Sequence, residues 1–243
     1  MSTSTSTDCP LLLVKGHLVD TCFDRPDVAL ILDINAISLK TFGVVDKIFE
    51  KYPYGETVKN RVQLYDLSRA DVKARPDVGT FIVKTNPKKP TIISLVTQYS
   101  YGLPYECNSI TNNIVKTTKD YHYGQGLRND TEIARLCNFK MCIKGLISFA
   151  KLPENSNLSV FVFNCGIGRS SKMDDVWVNE YLPVLKTFAR ELITYGITTL
   201  IVSHLPTNQI PSNVISLGRF MDNMGLFDSS DDNDEYIGEL PME

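Results

Sequence analysis

Ser159-Val-Phe-Val-Phe-Asn164, followed at once by Cys165-Gly-Ile-Gly-Arg-Ser-Ser171, is the stretch that decides how this chain folds. The first six residues are a short run of β-branched and aromatic side chains, which suits a strand covered on both faces. Beyond the glycines, Asp174-Asp175 precede Val176-Trp177, Tyr181-Leu182, Leu185 and Phe188-Ala189 at roughly helical spacing, which predicts a helix opening at the turn. Strand, small-residue loop and helix in that order read as one unit of an α/β sheet. Gly166 and Gly168 allow backbone dihedrals closed to other residues and remove the side chains that would keep a phosphate from the N–H groups. A lone Gly-x-Gly fits an ordinary tight βα turn without a ligand equally well.

Composition narrows the class. The chain has 243 residues, 43% of them hydrophobic, which is enough for a real core. A formal charge of -3 argues against a free nucleic-acid partner, while local donors remain able to hold a small anion. The six cysteines, at 9, 22, 107, 137, 142 and 165, form no Cys-x-x-Cys pair, and with the three histidines they assemble no zinc spacing, so neither metal nor cofactor is expected. Residues 1 to 8 are Ser/Thr-rich without the basic start or apolar core of a signal peptide, and no stretch approaches a membrane span. The expectation is an intracellular protein, cytoplasmic or nuclear, with reduced thiols and no membrane partner.

Outward from the central unit, residues 1 to 10 read as a disordered N-terminus, 11 to 225 as one domain, and 226 to 243, with Asp228, Asp231, Asp232, Asp234 and Glu235, as a solvated acidic tail. Leu11 to Val14 and Val28 to Leu32 are predicted strands. Asp33-Ile-Asn-Ala36 follows the second of them, at a carboxyl end where ligands sit in open α/β sheets. Asn35 there either offers an amide to a sugar or a water, or forms a turn and bonds only its own backbone. Phe42 to Lys51 supplies a short helix after Gly43, ended by Tyr52-Pro53. Residues 54 to 75 are polar, with a short element at Val62 to Leu67. Phe81 to Lys84 and Thr91 to Thr97, joined by Asn86-Pro-Lys-Lys-Pro90, predict an antiparallel pair. The Tyr-rich residues 98 to 126 lack periodicity. A helix with an Asp or Asn cap is expected from about 131 to Phe149, a last buried strand at Gly196 to Ser203, and a terminal helix at Ile215 to Met224. His204, leaving that strand, reads as a structural residue.

With these loops placed, the sequence resembles the macro domain family, whose members bind ADP-ribose and in many cases hydrolyse its derivatives. The resemblance rests on Asn35, Gly43-Val44, Ile48 and Lys51-Tyr-Pro-Tyr54, then on Arg75-Pro-Asp-Val-Gly-Thr80, Asp130 to Arg135 with Phe139-Lys140, and finally Gly166-Ile-Gly168 and Asp175-Val-Trp177. It covers roughly Leu11 to His204, and five weak matches in the right order carry it. It implies a three-layer α/β/α fold with a mixed central sheet. It also implies a cleft formed by Gly16, His17, Asn35, Phe42, Gly43, Val44, Gly166, Ile167, Gly168, Arg169, Ser170 and Ser171, with Asn35 and Asp175 as the catalytic candidates.

The departures bear on mechanism. Gly16-His17 stands where the family usually has a Gly-Asp pair that accepts from the adenine amino group. The first glycine loop is reduced to Thr41-Phe42-Gly43. In the second, Arg169-Ser-Ser-Lys-Met173 replaces several glycines, so these side chains either obstruct a diphosphate or hold it through charge-assisted hydrogen bonds. Gln98 occupies the position where one enzymatic branch has a lysine nucleophile, which argues against a covalent lysine route. The resemblance thus implies binding of ADP-ribose or a related nucleotide, with removal of ADP-ribose or a terminal phosphate from a derivative as its enzymatic form. A degenerate, non-catalytic module that reads ADP-ribosylated protein or serves as an interaction surface is the other class, and a different doubly wound nucleotide-binding fold is a third. Oligomeric state is not legible.

Overall fold

The computed structural model describes residues 11–15, 18, 24–41, 43–59, 61, 70–99, 130–164, 176–203 and 215–216. The expected disordered start, the element at Val62 to Leu67, residues 100 to 126 of the Tyr-rich stretch, His204 and the acidic tail lie outside the described residues.

Among the described residues, seven strands form one sheet: β1 (Leu11–Lys15), β2 (Val28–Asn35), β3 (Thr80–Asn86), β4 (Lys89–Gln98), β5 (Val160–Asn164), β6 (Thr198–Ser203) and β7 (Ile215–Ser216). Their order is β3-β4-β2-β5-β6-β1-β7. Only β3, the partner of β4, runs antiparallel, as the Pro-containing connection predicts. All other pairings are parallel, so the sheet is mixed.

Helices cover both faces and make three layers. Along the buried strands, successive side chains point to opposite sides. Ala29, Ile31, Phe161 and Phe163 meet α2 (Glu132–Ala150) and α3 (Leu182–Leu192), whereas Leu30, Leu32, Val160 and Val162 meet Ile48 and Phe49 of α1 (Val44–Lys51). Each Val, Leu, Ile or Phe side chain among them removed from water contributes about 1.5–3 kcal/mol. Continuous apolar runs therefore belong in the middle of this sheet, and Ser159 to Asn164 lies there, between β2 and β6.

Several boundaries differ from the expectation. β2 does not stop at Leu32 but runs to Asn35, because the Asp33 carboxylate is satisfied inside the sheet by Thr97 Oγ1 and by Gln98 Nε2 at 2.8 Å. The N-cap of α2 is Thr131, whose Oγ1 accepts from Ala134 N at 3.2 Å; Asp130 is drawn away to other partners. The helix after the central loop opens with one π turn, Trp177–Tyr181, in which Leu182 N–H reaches Trp177 O. Pro183, one residue further, has no N–H to give to the α-helical ladder. Finally, Ile215-Ser216 is not helical: it pairs in parallel with Val14 and Lys15 of β1, where the sheet would otherwise have an open edge. Gly196 to Ser203 is thus not the last strand, and it begins at Thr198 after a left-handed Gly196.

Candidate functional site

β2 and β5 are parallel neighbours, and the helices that follow them lie on opposite faces of the sheet. After β2 the chain turns to α1 on one face; after β5 it continues to the π turn and α3 on the other. Adjacent strands whose following helices diverge in this way open a crevice at their carboxyl ends, the usual ligand position in an open α/β sheet. β1 runs parallel to β6 and hence to β5, so the loop after β1 leaves the same edge.

Of the residues expected to form the cleft, Asn35, Gly43 and Val44 are described. Gly16, His17, Phe42, Gly166, Ile167, Gly168, Arg169, Ser170, Ser171 and Asp175 lie outside the described residues. Asn35 ends β2 at a register shift, so that it stands opposite Gln98. Its Oδ1 accepts from Ser38 N at 2.7 Å, which is the turn-forming role weighed for it. That bond also assigns the amide: the atom facing an N–H is the oxygen, and Nδ2 is left as the donor. Gly43 is the N-cap of α1 with φ 63 and ψ -131, a conformation that L side chains rarely adopt. Nothing lies within 4 Å of a Cβ built there, so the glycine serves the backbone turn rather than a close packing contact. Thr41 Oγ1 donates to Asp46 Oδ1 at 2.8 Å and closes this loop over the first turn of α1. Val44 is half-buried against the α1-side core.

The backbone of the turn after β2 is satisfied residue by residue. Ala36 N donates to Gln98 O at 3.0 Å and Ile37 N to Tyr99 O at 3.2 Å, continuing the β2–β4 pairing past the bulge. Ile37 O accepts from Ala70 N at 2.7 Å. The three remaining carbonyls, of Asn35, Ala36 and Ser38, all accept from Arg61 Nη1, at 2.8, 3.0 and 3.0 Å. Arg75 supports the same turn from behind, with Nε on Ala70 O at 2.9 Å and Nη1 on the Tyr99 hydroxyl at 2.5 Å.

Beneath the crevice, on the α2/α3 side, lies a polar network inside the core. Asp33 holds Thr97 and Gln98, and Asn138 of α2 donates Nδ2 to Thr97 O at 3.1 Å. Asp130 accepts from Tyr99 N at 2.9 Å and pairs with Arg135 at 2.5 Å, both side chains being at most 1% exposed. Burial, with a further push from the Asp33 charge, drives the Cys142 thiol up to about 12 and moves the Tyr181 phenol upward as well. Both stay protonated at neutral pH, so neither is an activated nucleophile or base. The Cys142 thiol donates to Thr80 O at 3.1 Å. Trp177 is buried at the start of the π turn, and its Nε1 has no hydrogen-bond partner among the described residues. Gln98, 7% exposed, spends its amide on Asp33.

Sequence reading gave no structural role to Asp33 or Arg61 and used Asp130 and Arg135 only as part of the resemblance and as a helix start. Asp33 carried a usable signal, a charge inside an apolar strand run, which demands a partner. Arg61 carried none, since it sits in a polar segment without periodicity. Among the described residues, no group of three or more His, Cys, Asp and Glu is arranged to hold a metal ion, and no helix is long and apolar enough to cross a membrane.

No protein-family model matches the chain, and no curated protein matches it in sequence. Among solved structures, a macrodomain mutant from Oceanobacillus iheyensis is similar at TM-score 0.46 and 12% identity, over 89% of this chain and 94% of that one. A Trypanosoma brucei macrodomain in complex with ADP-ribose is similar at TM-score 0.41 and 14% identity, over 84% and 68%. An alphavirus P23pro-zbd structure is similar at TM-score 0.42 and 9% identity over 82% of this chain, which spans only 22% of that protein. Likenesses this loose carry nothing about ligand or activity.

Proposed function

We propose that this chain binds ADP-ribose, or a related nucleotide, in the crevice at the carboxyl ends of β2 and β5. The observation that carries the reading is the divergence of α1 and α3 to opposite faces after two adjacent parallel strands. The sequence resemblance supplies the ligand class. In this reading Asn35 Nδ2 donates to a ribose hydroxyl or to a water, the loop at Gly43 and Val44 lines one wall, and residues 166 to 171 hold the diphosphate. His17 and Phe42 belong to the base side. An ADP-ribosyl group carried on a protein fits the same description. Where a derivative is hydrolysed, the water is oriented by Asn35 and the diphosphate, with Asp175 as a distant helper, and the chemistry relies on orientation more than on a strong base.

Calorimetric titration with ADP-ribose, beside AMP and NAD, tests the reading. The expected outcome is modest affinity for ADP-ribose, weakened by salt because exposed charges contribute to it. Gly168→Glu abolishes binding by filling the cradle and adding a negative charge, with the fold intact. Asn35→Asp keeps an acceptor for Ser38 N but loses the donor, and weakens binding or turnover as Asn35→Ala does. A folded wild-type protein that gives no binding isotherm with any of the three ligands overturns the proposal.

A further inference from the structure

A turn that leaves a strand for a helix has carbonyls pointing several ways, and its shape is set by whatever accepts or donates to them. Between Asn35 and Ser38 four carbonyls need partners. Ala70 takes one, and a single side-chain nitrogen takes the other three: Arg61 Nη1, at 2.8, 3.0 and 3.0 Å from the oxygens of Asn35, Ala36 and Ser38. Arg61 lies 23 to 26 residues further along the chain, so these are tertiary contacts. Nη2 is buried and has no hydrogen-bond partner among the described residues, which leaves Nη1 as the described hydrogen-bonded end of the guanidinium.

We infer that Arg61 is a positioning residue for the candidate site: its guanidinium gathers the carbonyls of Asn35, Ala36 and Ser38 and so aims the Asn35 amide toward the crevice. The three carbonyl dipoles present their negative ends to one cation, and charge-assisted hydrogen bonds of this kind are about twice as strong as neutral ones. The bond from Ser38 N to Asn35 Oδ1 closes only when Ser38 is brought back over Asn35, which is the bend that the three carbonyl contacts hold. Glu56 is the charged group that favours the cation electrostatically; its Oε1 is occupied by Val58 N and Lys59 N at 2.7 and 3.2 Å. Burial pulls the guanidinium down to about 10, so it remains charged at neutral pH. As a statement about ligand binding the inference rests on the proposed function; as a statement about the turn it does not.

The test uses Arg61→Met, which keeps the length of the side chain without its charge, Arg61→Lys, which restores a cation with three donors, and Arg25→Met as a control. Arg25 pairs with Asp27 at the opposite end of β2, so its loss destabilises the protein without touching the turn. Two readouts are taken on the full chain: hydrogen exchange at the Ser38 amide, and ADP-ribose affinity by calorimetry. Arg61→Met is expected to lower Ser38 protection and ADP-ribose affinity each roughly tenfold, a loss in keeping with a charged hydrogen bond. Arg61→Lys is expected to recover part of both, and Arg25→Met to leave both unchanged. Unchanged Ser38 exchange in Arg61→Met overturns the inference, as does an Arg61→Lys variant no better than Arg61→Met, or a control that weakens the ligand as much. A wild-type protein that binds no ADP-ribose defeats the functional reading alone, and Ser38 exchange then decides the role of Arg61.

Discussion

Replacing Arg135 by Met should be among the most damaging single changes on the α2 side of the sheet. The guanidinium is 1% exposed and meets an Asp130 carboxylate that is fully buried, at 2.5 Å. Met fills much of the same space but removes the guanidinium that pairs with the carboxylate, and breaking a buried pair from one side costs about 3–5 kcal/mol. For a domain whose whole stability is of order 5–15 kcal/mol, that removes at least about a fifth of it. At about 2–4 °C per kcal/mol for a chain of this size, the melting temperature falls by roughly 6–20 °C. Asp130 has a second task, accepting Tyr99 N at 2.9 Å, so it is not simply dispensable once its partner is gone. Asp130→Asn in the Arg135→Met background removes the stranded charge while keeping an oxygen for Tyr99. The double variant should therefore be more stable than Arg135→Met alone. Urea unfolding of wild type, both single variants and the double variant gives the coupling directly. A loss below about 1 kcal/mol in Arg135→Met, or a double variant less stable than that single one, refutes the argument that an uncompensated charge dominates.

Two further outcomes follow from other sites. Burial raises the Asp27 carboxyl, but bonds from Arg25 and Ser159 outweigh it and hold it below its ordinary value. A carboxylate depressed in the folded state contributes stability that is present above its unfolded pKa and lost as pH falls through the folded one, so the urea midpoint should drop from about pH 4 downward, and Asp27→Asn should flatten that limb. Gly43→Ala should cost roughly 1–3 kcal/mol through its backbone conformation alone, since, apart from its chain neighbours, no atom of the described residues crowds the added Cβ. Gly43→Ser should then lose a similar amount by thermal unfolding, and a neutral result for both would show that α1 starts as well without the left-handed residue.

The strands were legible because the middle of this sheet is covered on both faces and needs unbroken apolar runs. Val28 to Leu32, Thr91 to Thr97 and Ser159 to Asn164 announce themselves in that way, and the Pro-containing connection before Thr91 announces the antiparallel neighbour. Boundaries set by tertiary hydrogen bonds were not legible. β2 extends through Asp33 only because Thr97 and Gln98 stand beside it, and Ile215-Ser216 is a strand only because β1 offers a free edge. The site was half legible for the same reason. Asn35 and Gly43 sit at strand and helix ends that periodicity locates, whereas Arg61, Ala70 and Arg75 come from a polar segment whose role appears only when its side chains reach the turn after β2.

On the proposed reading, the two roles weighed for Asn35 are not alternatives. An amide has an accepting end and a donating end on one plane, and fixing either fixes both. The turn uses Oδ1 through Ser38 N, and that bond is what orients Nδ2. A free amide would have to lose rotamer entropy on meeting a ligand, at a cost of about 0.5–1.5 kcal/mol, whereas one already held by the backbone has lost it during folding. In the proposed binding role, the turn-forming bond preorganises the donor. The same logic extends one step outward, since Ser38 N is in position because its own carbonyl, with those of Asn35 and Ala36, is gathered on Arg61. Preorganisation here runs from a guanidinium to three carbonyls, from them to the Ser38 N–H, and from that to the Asn35 amide. A weakened first link should therefore be felt as lost affinity at the last.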